Sequence, residues 1–521
     1  MSDLNTFIER YCRLTNQNVA TKFEHVVNLT SESFEINGDT IRYAELPGLR
    51  NGINELNRAR QNSDRYKSRN TQPSFKIRGV IEGFYGTPWT HEQRKKALVH
   101  FAKWNMNTFI LAPKDDPWQR FDWKTPFSPA FIERTSDLVK HANDLLVELS
   151  VCVSPGLTVC YSDAEDVQAL LFRYQQLIGI GIRRFGLLLD DIPGELQFEA
   201  DQKKYHSIAE AHADFSNQIN QRLKEISSNA TLFVCPLQYH GRGHEPYISE
   251  LGKKLSSDID LMWTGRQICS EYLEVSDAIK FKEETNKLPF YWDNYPVNDV
   301  AMVHQLHVGP IDKRENQLGN YSVGLVANPM DRFDSSLLPL ATIADYLWDS
   351  EGYDSNESWD WALKELITKE EDRNPLRHLF RNCFESCLAV DAAPDFGAVL
   401  SQATFAWRTG QAKSAADLLG RYANEALRNF EIITSMDFSW REIQPEIAPW
   451  LSKYKLVAEA LLDVAKILEA TTFVKGRING SAEMAEQVRK IRISLAQNPT
   501  RIFGDGLDLV LGELATELSV A

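Results

Sequence analysis

From Phe75 onward the chain alternates two textures: short runs of consecutive apolar residues, and longer stretches in which apolar residues recur three and four positions apart among charged ones. The first pattern marks a strand buried on both faces and the second an amphipathic helix, so their alternation predicts parallel strands joined by crossover helices. Strand signals fall at Lys76–Gly83, Thr108–Ala112, Ser150–Ser154, Phe185–Leu189, Thr231–Cys235, Ile259–Trp263, Pro289–Trp292 and Ser322–Val326. Eight such strands are what a closed (β/α)8, or TIM, barrel requires, and the predicted fold class is α/β with that barrel at its centre. Thr90 followed by Gln93, and Ser162 followed by Glu165, predict capping boxes that open two of the crossover helices. The interval between the seventh and eighth strands is the least helical and predicts an irregular excursion.

The flanks have other patterns. Residues 1–73 are mixed, with a strand-like Thr40–Tyr43, a helix-like Asn54–Arg60 and a polar run Arg60–Asp64 that predicts a linker or exposed helix end. After Ser355 strand signals stop, and Ala412–Phe430 and Trp450–Ala470 carry helical periodicity. In the second, Leu451, Tyr454, Val457, Leu461, Val464 and Leu468 share one face, as in a bundle. The predicted division is an N-terminal mixed region over 1–73, a barrel over 74–354 and a C-terminal helical bundle over 355–521.

Composition narrows the partners. A length of 521 residues with 43% hydrophobic and 25% charged residues is globular, and no apolar run is long enough to span a membrane. The formal charge of −15 disfavours nucleic acid, whose affinity comes from cations neutralising phosphates. The first residues lack a basic segment followed by an apolar one, so the expected compartment is the cytoplasm. Seven scattered cysteines without close pairs are expected to be reduced core residues. Nothing in the periodicity speaks to oligomeric state.

Barrel enzymes place their chemistry at the C-terminal ends of the strands, where the loops converge. Here those ends read Glu82-Gly83-Phe84-Tyr85-Gly86, Lys114-Asp115-Asp116, Pro155-Gly156, Asp190-Asp191, Gln238-Tyr239, Trp263-Thr264-Gly265, Trp292-Asp293-Asn294 and Asn328-Pro329. Carboxylates, amides and aromatics in this mixture suit carbohydrate: acids protonate glycosidic oxygens, amides hold hydroxyls, and ring faces cover the apolar side of a sugar. A retaining glycosidase with a protein nucleophile holds two carboxyl groups about 5 Å apart across the scissile bond, which adjacent residues serve poorly. Asp190 and Asp191 fit a substrate-assisted reaction better. In it a 2-acetamido oxygen attacks the anomeric carbon, one Asp orients the amide N–H, and the other handles the leaving group's proton. The plain alternative is a helix cap or an ion pair.

With Gly79-Val80-Ile81-Glu82-Gly83-Phe84-Tyr85-Gly86-Thr87-Pro88-Trp89, Ala112-Pro113-Lys114-Asp115-Asp116, Leu189-Asp190-Asp191-Ile192 and Trp292-Asp293-Asn294 in this order, the sequence resembles glycoside hydrolase family 84, the O-GlcNAcases and their bacterial relatives. The resemblance runs from about Lys76 to Leu347. It implies a retaining exo-β-N-acetylglucosaminidase that removes terminal β-linked GlcNAc, including from Ser or Thr of proteins, through a bicyclic oxazoline and without metal or organic cofactor. It implies that Asp190 polarises the acetamido group and that Asp191 is general acid and then base. Gly79, Lys114, Asn294, Asp299 and Asn328 would hold sugar hydroxyls, and Tyr239 and Trp292 would line the acetamido pocket. The implied partner is a GlcNAc-bearing glycoconjugate or glycoprotein.

Other readings stay open at this point. Glu82 is a rival acid, or a carboxylate that binds the barrel's own amides or Lys114. Lys114 touches ligand, or only pairs with Asp115 and Asp116. His240 and His244 have the spacing of a helical metal pair, but Gly241 and Gly243 between them predict a loop. An endo-acting, hyaluronidase-like enzyme and a non-catalytic sugar-binding barrel are the competing functions.

Overall fold

The computed structural model describes residues 2–17, 21–38, 40–61, 71–388, 391–474 and 477–519. Asn62, Ser63 and Asp64 of the polar run lie outside the described residues. The chain divides into two compact units, one comprising 1–297, 313–331 and 340–354, the other 298–312, 332–339 and 355–521.

The first unit begins with a helix, Ser2–Thr15, and a small sheet of β1 (Lys22–His25), β2 (Phe34–Asn37) and β3 (Thr40–Tyr43) in the order β1-β3-β2. The helix Leu46–Gln61 packs on this sheet and contains the predicted Asn54–Arg60. Buried polar groups tie the region to the barrel. Asn54 donates to the carbonyl of Ala102 at 2.8 Å and to Asn105 at 2.7 Å, and Arg78, almost fully buried, pairs with Glu32 at 2.6 Å.

The barrel follows: β4 (Ile77–Glu82), β5 (Thr108–Leu111), β6 (Glu148–Val153), β7 (Arg184–Leu188), β8 (Thr231–Cys235), β9 (Asp260–Trp263), β10 (Pro289–Asp293) and β11 (Gly324–Ala327). Each strand pairs in parallel with the next, and β11 closes on β4 with Gly324 opposite Ile77. All eight predicted strands are present. The largest displacements are β6, which starts two residues early at Glu148, and β11, which starts two residues late at Gly324. Both lie at the foot of the barrel, where pairing rather than apolar patterning sets the boundary. The interior is filled by Ile77, Ile81, Ile110, Cys152, Leu188, Phe233, Met262, Phe290 and Val326 among others, so chemistry is confined to the mouth.

Thr90 and Gln93 form the predicted capping box. The second one is a correction: the helix Ala164–Gly179 is capped by Asp163, whose side chain accepts from the Glu165 amide. The helix starts at Ala164, one residue later than a Ser162 cap would require, which puts Asp163, an equally good cap, in that position, and the Ser162 N–H donates to Asp201 at 2.7 Å. The excursion between the last two strands contains only two short 3-10 turns, Val300–Met302 and Leu318–Tyr321, and its residues 298–312 belong to the second unit.

That second unit is helical: Ser355–Leu366, Glu370–Phe380, Pro394–Arg408, Ala412–Thr434, Ile443–Glu469, Ala482–Ala496 and Gly506–Ser519, with one antiparallel pair, Thr472–Val474 and Arg477–Asn479. Every residue of the predicted face from Leu451 to Leu468 is buried. The helix carrying it starts seven residues before the predicted Trp450, running through Pro449. Among the described residues no helix is long and apolar enough to cross a membrane.

Candidate active site

The apolar strand β7 ends at Leu188, and the Leu189 amide still pairs with the carbonyl of Cys235, so the backbone holds Asp190 and Asp191 at the mouth. Asp190 is 4% exposed. Its Oδ2 is ion-paired with the buried ammonium of Lys114, delivered from just beyond β5, while its Oδ1 is buried without a hydrogen-bond partner. A buried acceptor left empty costs about 1–3 kcal/mol, which is ordinarily recovered by a partner. Lys114 also lies 3.8 Å from Asp191 and 5.6 Å above the ring of Trp292. Burial works against its charge, but Asp190 foremost outweighs that, and its pKa lies above the ordinary lysine value. Asp115 and Asp116, the alternative partners, serve the backbone: Asp115 accepts from the Gly86 amide at 2.8 Å, and Asp116 caps the short helix Pro117–Arg120.

Asp191 differs in exposure, backbone and hydrogen-bond partners. Its side chain is 33% exposed, and its backbone sits in the left-handed region at φ +54. Its carboxylate accepts from the Tyr85 hydroxyl at 2.7 Å and, more distantly, from that of Tyr239 at 3.5 Å. Burial foremost raises the pKa of both phenols, with Asp191 adding to it at each and Arg120 opposing it at Tyr85, so both remain donors. One carboxylate is thus dry and fixed by a cation, and the next is wet and held by hydroxyls.

The facing wall is a chain of amides. The Gly83 N–H donates to Asn328 Oδ1 at 3.1 Å, Asn328 Nδ2 to Asn294 Oδ1 at 3.0 Å, and Trp292 Nε1 to the same oxygen at 2.9 Å. Asn294 Nδ2 is anchored on the carbonyl of Ile268 at 2.9 Å. Gly83 is required by close approach, since a Cβ there would lie 2.3 Å from the Trp292 ring.

Lys114, Tyr239, Trp292, Asn294 and Asn328 are therefore gathered in one network with Asp190, Asp191 and Gly83. Gly79 is not among them and is a correction. It is the third residue of β4, opposite Thr108 in the ladder, where a Cβ would meet the Thr108 carbonyl at 1.9 Å, so its lack of a side chain serves packing below the mouth. Asp299 precedes the 3-10 turn Val300–Met302 in the second unit. Glu82 is fully buried, receives two arms of Arg94, each at 2.7 Å, and the Trp89 amide at 3.0 Å. That bonding favours the reading in which it binds the barrel's own groups, with Arg94 in place of Lys114. His240 and His244 stand on a loop in which Gly241 and Gly243 have positive φ, and no group of three metal-ligating side chains occurs among the described residues. Tyr85, Arg120 and Arg314 went unrecognised as site residues. Arg314, which grips Asp293 beneath Asn294 at 2.9 and 2.7 Å, gives no local signal at all.

Residues 78–381 match the protein family described as beta-N-acetylglucosaminidase (NAGidase). The chain belongs to this family, glycoside hydrolase family 84. Relatives within it include the protein O-GlcNAcases of Rattus norvegicus and Mus musculus, each 32% identical over 272 residues, a stretch that is 51% of this chain and 29% of theirs. A mutant of the Thermobaculum terrenum O-GlcNAc hydrolase superposes with a TM-score of 0.78 at 28% identity, over 85% of this chain and 95% of that one. CpGH84B shares the fold with a TM-score of 0.79 at 23% identity, over 94% and 87%. The strand-end motifs that carried the resemblance lie inside the matched residues.

Proposed function

We propose that this chain is a retaining exo-β-N-acetylglucosaminidase that releases terminal β-linked GlcNAc, Ser- and Thr-linked GlcNAc of proteins included, by substrate-assisted catalysis. The observation that carries the reading is the unpartnered buried Oδ1 of Asp190, one residue from the exposed carboxyl of Asp191. An acetamido N–H donating to that oxygen would gain electron density at its carbonyl, which attacks the anomeric carbon while the glycosidic C–O bond breaks. Asp191, protonated, gives its proton to the departing oxygen. The oxazoline is then opened by water, from which Asp191, now carboxylate, takes a proton, so both products are neutral and the configuration is retained. The charge that develops on the acetamido nitrogen is met by a carboxylate already fixed by Lys114, at no cost in reorganisation.

Trp292 and Tyr239 would enclose the acetamido methyl, and Asn294, Asn328 and Lys114 would hold hydroxyls, with Asp299 a further contact. Gly83 takes the place first given to Gly79. The protein substrate is supported by the names of the rat, mouse and Thermobaculum relatives. The test is hydrolysis of an aryl β-GlcNAc and of an O-GlcNAc peptide by the wild type, Asp190→Asn and Asp191→Asn. Asp190→Asn should lose roughly 100-fold or more on both substrates, and Asp191→Asn far more on the peptide than on a good aryl leaving group. Full activity in Asp190→Asn would end the reading.

A further inference from the structure

The short helix Pro117–Arg120 has no counterpart in the strand-and-crossover pattern, yet its ends are firmly fixed. Asp116 caps it with an oxygen 2.9 Å from the Trp118 amide, and the carbonyl of Gln119 accepts from Ser154 at the end of β6 at 2.9 Å. This delivers Arg120, 8% exposed, to the flank of Asp191. An arginine so close to a carboxylate would ordinarily form a fork on its oxygens. Arg120 does not. Its Nη2 donates to the backbone carbonyl of Asp191 at 2.7 Å and its Nη1 to the Tyr85 hydroxyl oxygen at 2.9 Å, with the guanidinium 6.0 Å from the centre of the Tyr85 ring.

Both contacts bear on where the Asp191 carboxyl points. A non-glycine residue in the left-handed region is held there only if something outside it fixes the peptide, and the Arg120 arm fixes the carbonyl of that residue. The second arm occupies the Tyr85 oxygen as acceptor, which leaves the Tyr85 proton to donate to Asp191 Oδ2. Because neither arm touches the carboxylate, Arg120 aims the acid without adding an ion pair of its own to the Lys114 ammonium 3.8 Å away.

We infer that Arg120 is the positioning residue for Asp191: it holds the acid's own peptide and the hydroxyl that binds its carboxyl, and so keeps proton transfer directed at the leaving oxygen. The inference rests on the reading of Asp191 as proton donor. It does not place Arg120 on the substrate.

Loss of positioning has a signature that loss of general integrity lacks. A dinitrophenyl leaving group departs with little protonation, whereas a methoxyphenyl group needs it. Arg120→Leu should lower kcat/KM on methoxyphenyl β-GlcNAc, which reports the step that expels the leaving group, by roughly 30-fold or more while changing kcat/KM on dinitrophenyl β-GlcNAc by less than about 3-fold. Arg120→Lys, which can occupy one of the two acceptors but not both, should fall between. Should Arg120→Leu fail to fold by circular dichroism, the same split in Arg120→Lys carries the test. Equal losses on the two substrates, or none, overturn the inference. Asp191→Asn is measured alongside: a split there without one in the Arg120 variants removes Arg120 alone, and no split in Asp191→Asn removes the reading of the acid with it.

Discussion

Glu82 separates a structural carboxylate from a catalytic one, because it stands at the end of β4 in the first of the strand-end motifs and yet has both carboxylate oxygens bonded inside the wall. Replacing it by Gln keeps the shape, removes the charge and turns one acceptor into a donor aimed at Arg94, whose side chain is 21% exposed. Burial opposes the Arg94 charge, but Glu82 outweighs it and holds the guanidinium above its ordinary pKa, so removing Glu82 leaves a largely buried guanidinium without the charge that offsets its burial. Breaking a buried pair from one side costs about 3–5 kcal/mol, and Gln retains one of the accepting contacts, which places Glu82→Gln near about 3 kcal/mol. At roughly 2 °C per kcal/mol for a unit of this size, the melting midpoint should fall by about 6 °C. Calorimetry gives the midpoint, and turnover of an aryl β-GlcNAc well below it gives the activity of folded protein. The expected outcome is a clear thermal loss with kcat/KM reduced by less than about 3-fold. An unchanged midpoint with activity down by roughly 100-fold would refute the assignment and restore Glu82 as an acid.

Gly83→Ala puts a methyl into the Trp292 ring, so the ring or the loop must move; KM for aryl β-GlcNAc should rise several-fold (about 5-fold or more by lost positioning), and an unchanged KM would show that the Gly83–Trp292 contact does not shape the pocket. His212, buried between the hydroxyls of Tyr161 and Tyr247 at 2.8 Å each, is pushed down from 6.5 to about 3 by burial. It is neutral in the fold while the unfolded chain takes up a proton, so its contribution is complete above pH 6.5 and is lost as pH falls towards 3. By pH 5 the loss is about 2 kcal/mol, and urea unfolding at pH 7 and pH 5 should show His212→Gln recovering that share of the difference. An identical pH dependence in the variant would contradict a neutral His212.

What could be read in the sequence follows from what parallel barrels demand. Strands covered on both faces must be apolar throughout, so Phe185–Leu189 or Thr231–Cys235 stand out, and the first polar residues after them are necessarily at the mouth. That logic reaches Asp190, Lys114, Tyr239, Asn294 and Asn328. It does not reach partnerships, because closure of the barrel sets them: Lys114 and Asp190 are 76 positions apart, and nothing near Lys114 distinguishes that aspartate from Asp115 or Asp116. Gly79 and Gly83 belong to one motif, and only the strand register, with Gly79 opposite Thr108, tells which stands at the mouth beside Trp292. Arg120 was invisible for another reason. It is the last residue of a proline-started helix of a single turn, too short for any periodicity, and its role depends on a backbone conformation at Asp191 that no residue pattern announces.

The central claim is that the substrate supplies its own nucleophile, with Asp190 as the group that activates it. The most direct test is the rate of the wild type on aryl β-GlcNAc substrates whose N-acetyl group carries zero, one, two and three fluorines, since fluorine weakens the amide oxygen without altering the scissile bond. A steep fall in kcat/KM along the series, accumulating to several orders of magnitude, is the expected result. Rates indifferent to fluorination would mean that the acetamido oxygen is not the nucleophile, and that a protein carboxylate attacks the anomeric carbon instead.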